Sequence, residues 1–146
     1  MFRGSAVATI DDKGRLKIPT EFRRILEERW GVEVFVTSVA GDSALVYPLP
    51  VWEEIEARLA AMPATARAKD RYLERVSYFG QQLRLDQQGR LVVPTILRQS
   101  AEILSEVVVS GRIDHMVVWN RERMERRLVE QPFTEEDFDA LAEKGI

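Results

Sequence analysis

Arg15 and Arg90 are the side chains of this protein best suited to chemistry, and they stand in the same surroundings. Each follows an aspartate by four positions and a glycine by one: Asp11-Asp12-Lys13-Gly14-Arg15 and Asp86-Gln87-Gln88-Gly89-Arg90. A guanidinium is permanently charged and planar, with five donors that fit a phosphate or the edge of guanine. An aspartate at this spacing can cap the turn and hold the guanidinium. The likeness extends outward from the motif. Ile10 to Arg23 returns as Leu85 to Arg98 at a constant offset of 75 residues, identical at Asp, Gly, Arg, Leu, Pro, Thr and Arg. Two copies are too few for a solenoid; they mark one folding unit used twice. Whatever the motif does, the chain does it twice.

On the residues alone two readings of the motif stay open. In the first, the aspartate caps a tight hairpin and pairs with the arginine, and no ligand is needed. An exposed ion pair contributes only about 0–1 kcal/mol, so this explains the second arginine poorly, although common ancestry of the repeats would also leave it there. In the second, two guanidinium groups stand on exposed strands and meet nucleic acid.

The elements that position these residues follow from local patterning. Ala8 to Asp11 alternates as a half-buried strand does, Asp12-Lys13-Gly14 is turn chemistry, and Arg15-Leu16-Lys17-Ile18 alternates again. The segment therefore reads as a hairpin with Leu16 and Ile18 inward and Arg15 and Lys17 outward. Pro19 ends the strand, and Thr20 is placed to cap a helix that runs to about Trp30 and closes at Gly31. A second hairpin, Val32–Thr37 with Ala44–Pro48, leads to a helix from Val51 to Met62, and Ala64 to Phe79 reads as a third helix. The order then repeats: strands around Gln87-Gln88-Gly89, a helix from Thr95 to about Ile103, a hairpin around Gly111–Asp114, and a helix from Arg121 to Val129. Thr134 with Glu135, Glu136 and Asp137 behind it opens an acidic terminal helix. The units divide at residues 1–76 and 77–146.

The chain has 146 residues, 21 Lys and Arg against 24 Asp and Glu, and no cysteine. Disulfides, thiolate metal sites and thiol nucleophiles are thereby excluded. A net charge of −3 hides a segregation. Residues 1–24 carry six cations against three acids, whereas residues 131–146 carry five acids against one lysine. Local fields matter more than that sum. No metal-ligand spacing, phosphate loop or nucleophile elbow occurs, so neither an enzyme, a cofactor nor a small-molecule substrate is expected. His115 reads as a solvated loop residue. Trp30, Trp52 and Trp119 lie on apolar stripes and read as core or subunit interface. No apolar run is long enough to span a bilayer, and a cytoplasmic protein is expected.

The doubled motif, together with Met1-Phe2-Arg3-Gly4 and Ile18-Pro19 followed by Phe22-Arg23, resembles the MraZ family of bacterial transcription regulators. The resemblance covers nearly the whole chain. It implies an α+β fold of two pseudo-symmetric SpoVT/AbrB-type swapped-hairpin units interlocked in one barrel-like core. It implies a ring-like homo-oligomer, an octamer or dodecamer, associated with the nucleoid. It also implies binding to repeated sites of double-stranded DNA in the promoter of the division and cell-wall gene cluster. The candidate DNA contacts are then Arg3, Lys13, Arg15, Lys17, Arg84 and Arg90, with Asp11, Gly14, Asp86 and Gly89 shaping the motif. The second copy is the less basic, since Lys13 becomes Gln88 and Lys17 becomes Val92. The competing reading is a protein-binding module of the same fold, antitoxin-like or an assembly scaffold.

Overall fold

The computed structural model describes residues 1–146. The first repeat contributes β1 (Ser5–Thr9), β2 (Arg15–Lys17), α1 (Thr20–Arg29), β3 (Glu33–Thr37), β4 (Ala44–Pro48), α2 (Leu49–Ala60) and α3 (Arg67–Tyr78). The second contributes β5 (Gln81–Arg84), β6 (Arg90–Val92), α4 (Thr95–Ser100), β7 (Glu106–Gly111), β8 (Met116–Asn120), α5 (Arg121–Glu130) and α6 (Glu135–Ala142).

The strands pair across the repeats. A six-stranded antiparallel sheet runs β1-β7-β8-β4-β3-β5, and β2 pairs with β6 in a separate two-stranded ribbon. Only the β3–β4 and β7–β8 hairpins lie within a repeat. The first strand of each repeat adds to the other's hairpin: β1 to β7, but β5 to β3. Both joins exchange a strand between the repeats, since β1 and β3 belong to the first and β5 and β7 to the second. The repeats therefore cannot be pulled apart without breaking backbone ladders.

This corrects the hairpin expected between Ala8 and Ile18. Just past the end of β1, a single isolated bridge joins Ile10 to Leu16 of β2. Turn chemistry is present, but hydrophobic patterning cannot say which edge a strand will join. β1 finds a longer ladder on β7, from Ser5 opposite Ser110 to Thr9 opposite Glu106. The ribbon lies against both edges of the sheet, β2 beside β1 and β6 beside β5.

One core results. Leu16, Ile18, Val34 and Val36 of the first repeat pack in the same cluster as Leu91, Val93, Val107 and Val109 of the second. Fully burying such side chains contributes about 1.5–3 kcal/mol each. Trp52 and Trp119 are buried, and Trp30 stacks on Phe2 with ring centroids 5.4 Å apart.

Helix ends depart from expectation in small ways. Pro19 and Pro94 occupy the N-cap positions of α1 and α4 without a side-chain cap, and Thr20 and Thr95 are the first helical residues. At α6 the expected cap forms: Thr134 accepts from the Asp137 amide, and Asp137 accepts from the Thr134 amide. The third helix starts later than its composition suggests, at Arg67 rather than Ala64. His115 is not a solvated loop residue. Its ring stacks on Tyr47 at 4.4 Å, and its Nδ1 lies 2.8 Å from the Asp114 carboxylate. Burial, first of all, pushes the Tyr47 hydroxyl up to about 12.

Candidate nucleic-acid interface

The β2–β6 ribbon brings the two motifs side by side. Leu16 stands opposite Leu91, and both are buried. Alternation then turns their neighbours outward. Arg15 faces Val92 on one rung and Lys17 faces Arg90 on the other. The outer face of the ribbon thus carries three cations and one exposed valine, drawn from both repeats.

The loops at the two ends of the ribbon are built alike. Each aspartate wraps the turn that follows it. Asp11 Oδ1 accepts from the amides of Lys13 at 3.0 Å and Arg15 at 2.9 Å, while Oδ2 accepts from Arg15 Nε at 2.6 Å. Asp86 Oδ1 accepts from the amides of Gln88 at 2.8 Å and Arg90 at 2.9 Å, and Oδ2 accepts from Arg90 Nε at 3.1 Å. The Arg15 amide, first of all, holds the Asp11 carboxyl below its usual range, and the Arg90 amide does the same for Asp86. The carboxylate occupies one edge of each guanidinium. The Nη donors remain, oriented by a partner that is itself fixed by backbone amides.

Both glycines are required by conformation and by space. Gly14 has φ +81° and Gly89 has φ +74°. A Cβ on Gly14 would fall 1.4 Å from Arg98 Nη1, and one on Gly89 would fall 2.6 Å from Arg23 Cδ. The arginine of each first helix therefore lies over the glycine of the other repeat's loop. Arg23 also donates to the Gln87 carbonyl at 2.9 Å and to Glu27 at 3.0 Å. Sequence reasoning found Arg23 and Arg98 as repeat identities and assigned them nothing; their recurrence at one offset was the available signal. They are positioning residues that lock each loop to the opposite repeat. Backbone bonds complete the lock: Ile18 donates to the Gly89 carbonyl at 3.0 Å and Val93 to that of Gly14 at 2.9 Å.

The remaining candidates divide. Lys13 and Lys17 are exposed and take part in none of the ion pairs of the chain. Both belong to the ribbon and its loop. Arg84 lies on β5 opposite Glu33, with 3.7 Å between guanidinium and carboxylate, on the sheet edge rather than the ribbon. Arg3 lies apart. Its neighbour Phe2 bridges Ile113 at the β7–β8 turn, so the five residues of β1, at about 3.3 Å each, separate Arg3 from Asp11.

The repeat visible in this architecture is also a family repeat. The model of a family described as "MraZ protein, putative antitoxin-like" matches residues 1–75 and again residues 80–145. The chain belongs to the MraZ family. Its relatives match over their length as well. A protein of Acidobacterium capsulatum named transcriptional regulator MraZ is 43% identical over 146 residues, covering all of both chains. One of Koribacter versatilis with the same name is 42% identical, again covering all of both chains. That of Escherichia coli O127:H6, also so named, is 31% identical over 96% of this chain and 89% of its own. The two family matches bracket the two Asp-x-x-Gly-Arg loops, one in each.

Proposed function

We propose that this protein regulates transcription by binding double-stranded promoter DNA through the outer face of the β2–β6 ribbon. The observation that carries the reading is the register of that ribbon, which gathers the exposed Lys17 and the half-buried Arg15 and Arg90 on one outward face. A two-stranded ribbon fits the major groove, about 12 Å wide, and an arginine there makes two bonds to guanine. Lys17 and Lys13 supply phosphate attraction, while Asp11 and Asp86 orient the arginines. The names of the relatives support regulation as the outcome.

The units, residues 1–76 and 77–146, act as one DNA-reading body. Repeated sites in the promoter of the division and cell-wall gene cluster are the target, and a ring-like homo-oligomer in the cytoplasm, at the nucleoid, is the acting form. A single ribbon presents few cations and binds weakly. Several ribbons on one assembly raise avidity by about 10²–10⁴ without any new contact. The test is a gel shift across a salt series, with promoter DNA holding one repeat or several, and with shuffled DNA. Tighter binding to several repeats supports the reading. Equal binding to shuffled DNA would sink it.

A further inference from the structure

Arg23 and Arg98 are equivalent in the repeat, but they are not equally bound. Each is followed four positions on by a glutamate, Glu27 and Glu102. Such a pair meets on one face only where the helix runs far enough. α1 runs to Arg29, so Glu27 lies within it and accepts from Arg23 Nε at 3.0 Å. α4 stops at Ser100, and Glu102 beyond it takes φ +53°. That turn carries Glu102 to other partners. Its carboxylate lies 3.1 Å from Arg123 Nη2, and its carbonyl accepts from Asn120 Nδ2 at 2.9 Å. Arg98 lacks the acid that its counterpart keeps.

The backbone acceptor is missing too. Arg23 Nη2 donates to the Gln87 carbonyl, but the matching residue of the first loop, Asp12, accepts nothing from Arg98. The Arg98 guanidinium makes one bond, from Nη2 to Thr95 Oγ1 at 3.3 Å, which is long for a charged donor. Its Nη1 is the one buried side-chain nitrogen or oxygen of the chain without a partner. Buried donors are satisfied in native proteins, and a guanidinium cannot shed its proton to escape that requirement. The place of this nitrogen says what the acceptor is. It lies on Gly14, between Lys13 and Arg15, and neither Lys13 nor Arg98 joins an ion pair. Lys13, Arg15 and Arg98 thus meet two acids, Asp11 and Asp12, at the first-loop end of the ribbon, and Asp11 is committed to Arg15. At the second-loop end Arg23 and Arg90 are matched by Glu27 and Asp86, and Gln88 stands where Lys13 would be. The excess of cations is at one end only.

We infer that Arg98 donates to a backbone phosphate of bound DNA at the first-loop end of the ribbon, and that its counterpart Arg23 makes no DNA contact. The inference rests on the DNA-binding reading and adds a contact from outside the ribbon. With a single long bond to give up, the guanidinium turns about its stem over Gly14, where no Cβ obstructs it, and presents Nη1 to a phosphate oxygen. Bound DNA is anchored more firmly at the end of the ribbon that carries Arg15.

Titration of the full chain with promoter-repeat DNA across a salt series tests the contact, for the parent, Arg98→Gln, Arg98→Lys and Arg23→Gln. Arg98→Gln binds specific and shuffled DNA more weakly by the same factor, since a phosphate carries no sequence. Its slope of log affinity against log salt is shallower by about 0.9 for each engaged ribbon. Arg98→Lys restores the slope, because the charge is kept. Arg23→Gln keeps the parent's slope and lowers the urea midpoint instead. A neutral methylphosphonate moved along the DNA locates the phosphate: at one position the parent loses affinity and Arg98→Gln loses no more. Arg98→Gln with the parent's slope, or with a loss confined to specific DNA, makes Arg98 a loop clasp only and overturns the inference. An equal drop in slope for Arg23→Gln overturns it as well. Where Arg98→Gln melts early, Arg98→Met keeps a stem over Gly14, and melting of both below the binding temperature also overturns it. Lys17→Ala with Arg90→Ala judges the ribbon separately. A parent slope in that double variant, beside a shallower one in Arg98→Gln, moves DNA off the ribbon face and leaves the Arg98 contact standing. A parent that binds no promoter DNA overturns both.

Discussion

Lys17 of the first repeat and Arg90 of the second are cross-strand partners on the exposed face of one ribbon. One rung along, Arg15 has Val92 opposite. The two motifs are therefore halves of one surface, and the halves are chemically unequal. Removing Arg90 leaves Lys17 on its rung. Removing Arg15 leaves only a valine.

The first prediction follows from that inequality. Arg15→Ala weakens specific binding to promoter DNA more than Arg90→Ala does. A lost arginine–base contact corresponds to about 1–3 kcal/mol of discrimination. Melting temperature changes little, because Arg15 points away from the core that Leu16 enters. Titration by fluorescence anisotropy, with specific and shuffled DNA, measures the difference.

The loop glycines make a structural prediction. Gly14→Ala puts an L-residue at φ +81° and drives its Cβ into the Arg98 guanidinium. The left-handed conformation alone costs about 1–2 kcal/mol, and displacing Arg98 adds to it. Gly4→Ala is the control: its φ is +79°, but nothing lies within 4 Å of the added Cβ. Urea denaturation should place Gly14→Ala below Gly4→Ala in stability.

Interlocking predicts cooperativity. Leu16→Ala removes a side chain with no exposed surface from the seam between the repeats. Such a truncation costs about 2–5 kcal/mol. Both repeats should melt in one transition, in the parent and in the variant, because β1, β2 and β5 all pair across the repeats. A separate transition for each repeat by calorimetry would speak against a shared core.

Acid should act through Asp11 and Asp86. Hydrogen bonds from the Arg15 and Arg90 amides hold both carboxyls below their ordinary value. A depressed folded-state value means stabilisation that is present above the unfolded value, about 3.9, and is lost as pH falls through the lower folded value. The urea midpoint should therefore hold from neutral pH to about pH 4 and drop below it. Asp11→Asn with Asp86→Asn should flatten that acid limb.

Much of this fold was legible locally. Alternation placed Leu16 and Ile18 inside and Arg15 and Lys17 outside, and helical spacing placed Phe22 and Leu26 on the buried side of α1. Gly31 ends that helix with positive φ, its amide donating to the Leu26 carbonyl at 3.0 Å. Partnership was not legible. The turn at Asp11–Arg15 forms with the residues a hairpin uses, yet its flanking strands leave for β7 and β6 because each finds a longer or better-buried ladder there. The contact of Arg98 with Gly14 is tertiary and leaves no local pattern. Nor does any local rule place His115 against Tyr47.

The central claim is that the outer face of the β2–β6 ribbon binds DNA with both repeats at once. The most direct measurement is the salt dependence of affinity for promoter-repeat DNA, for the parent and for Lys17→Ala with Arg90→Ala. Each lost phosphate contact lowers the slope of log affinity against log salt by about 0.9. The account predicts a double variant that is folded, binds more weakly, and has a shallower slope, by about 0.9 for each engaged ribbon from the lost Lys17–phosphate contact. A folded double variant with the parent's affinity and the parent's slope would contradict it.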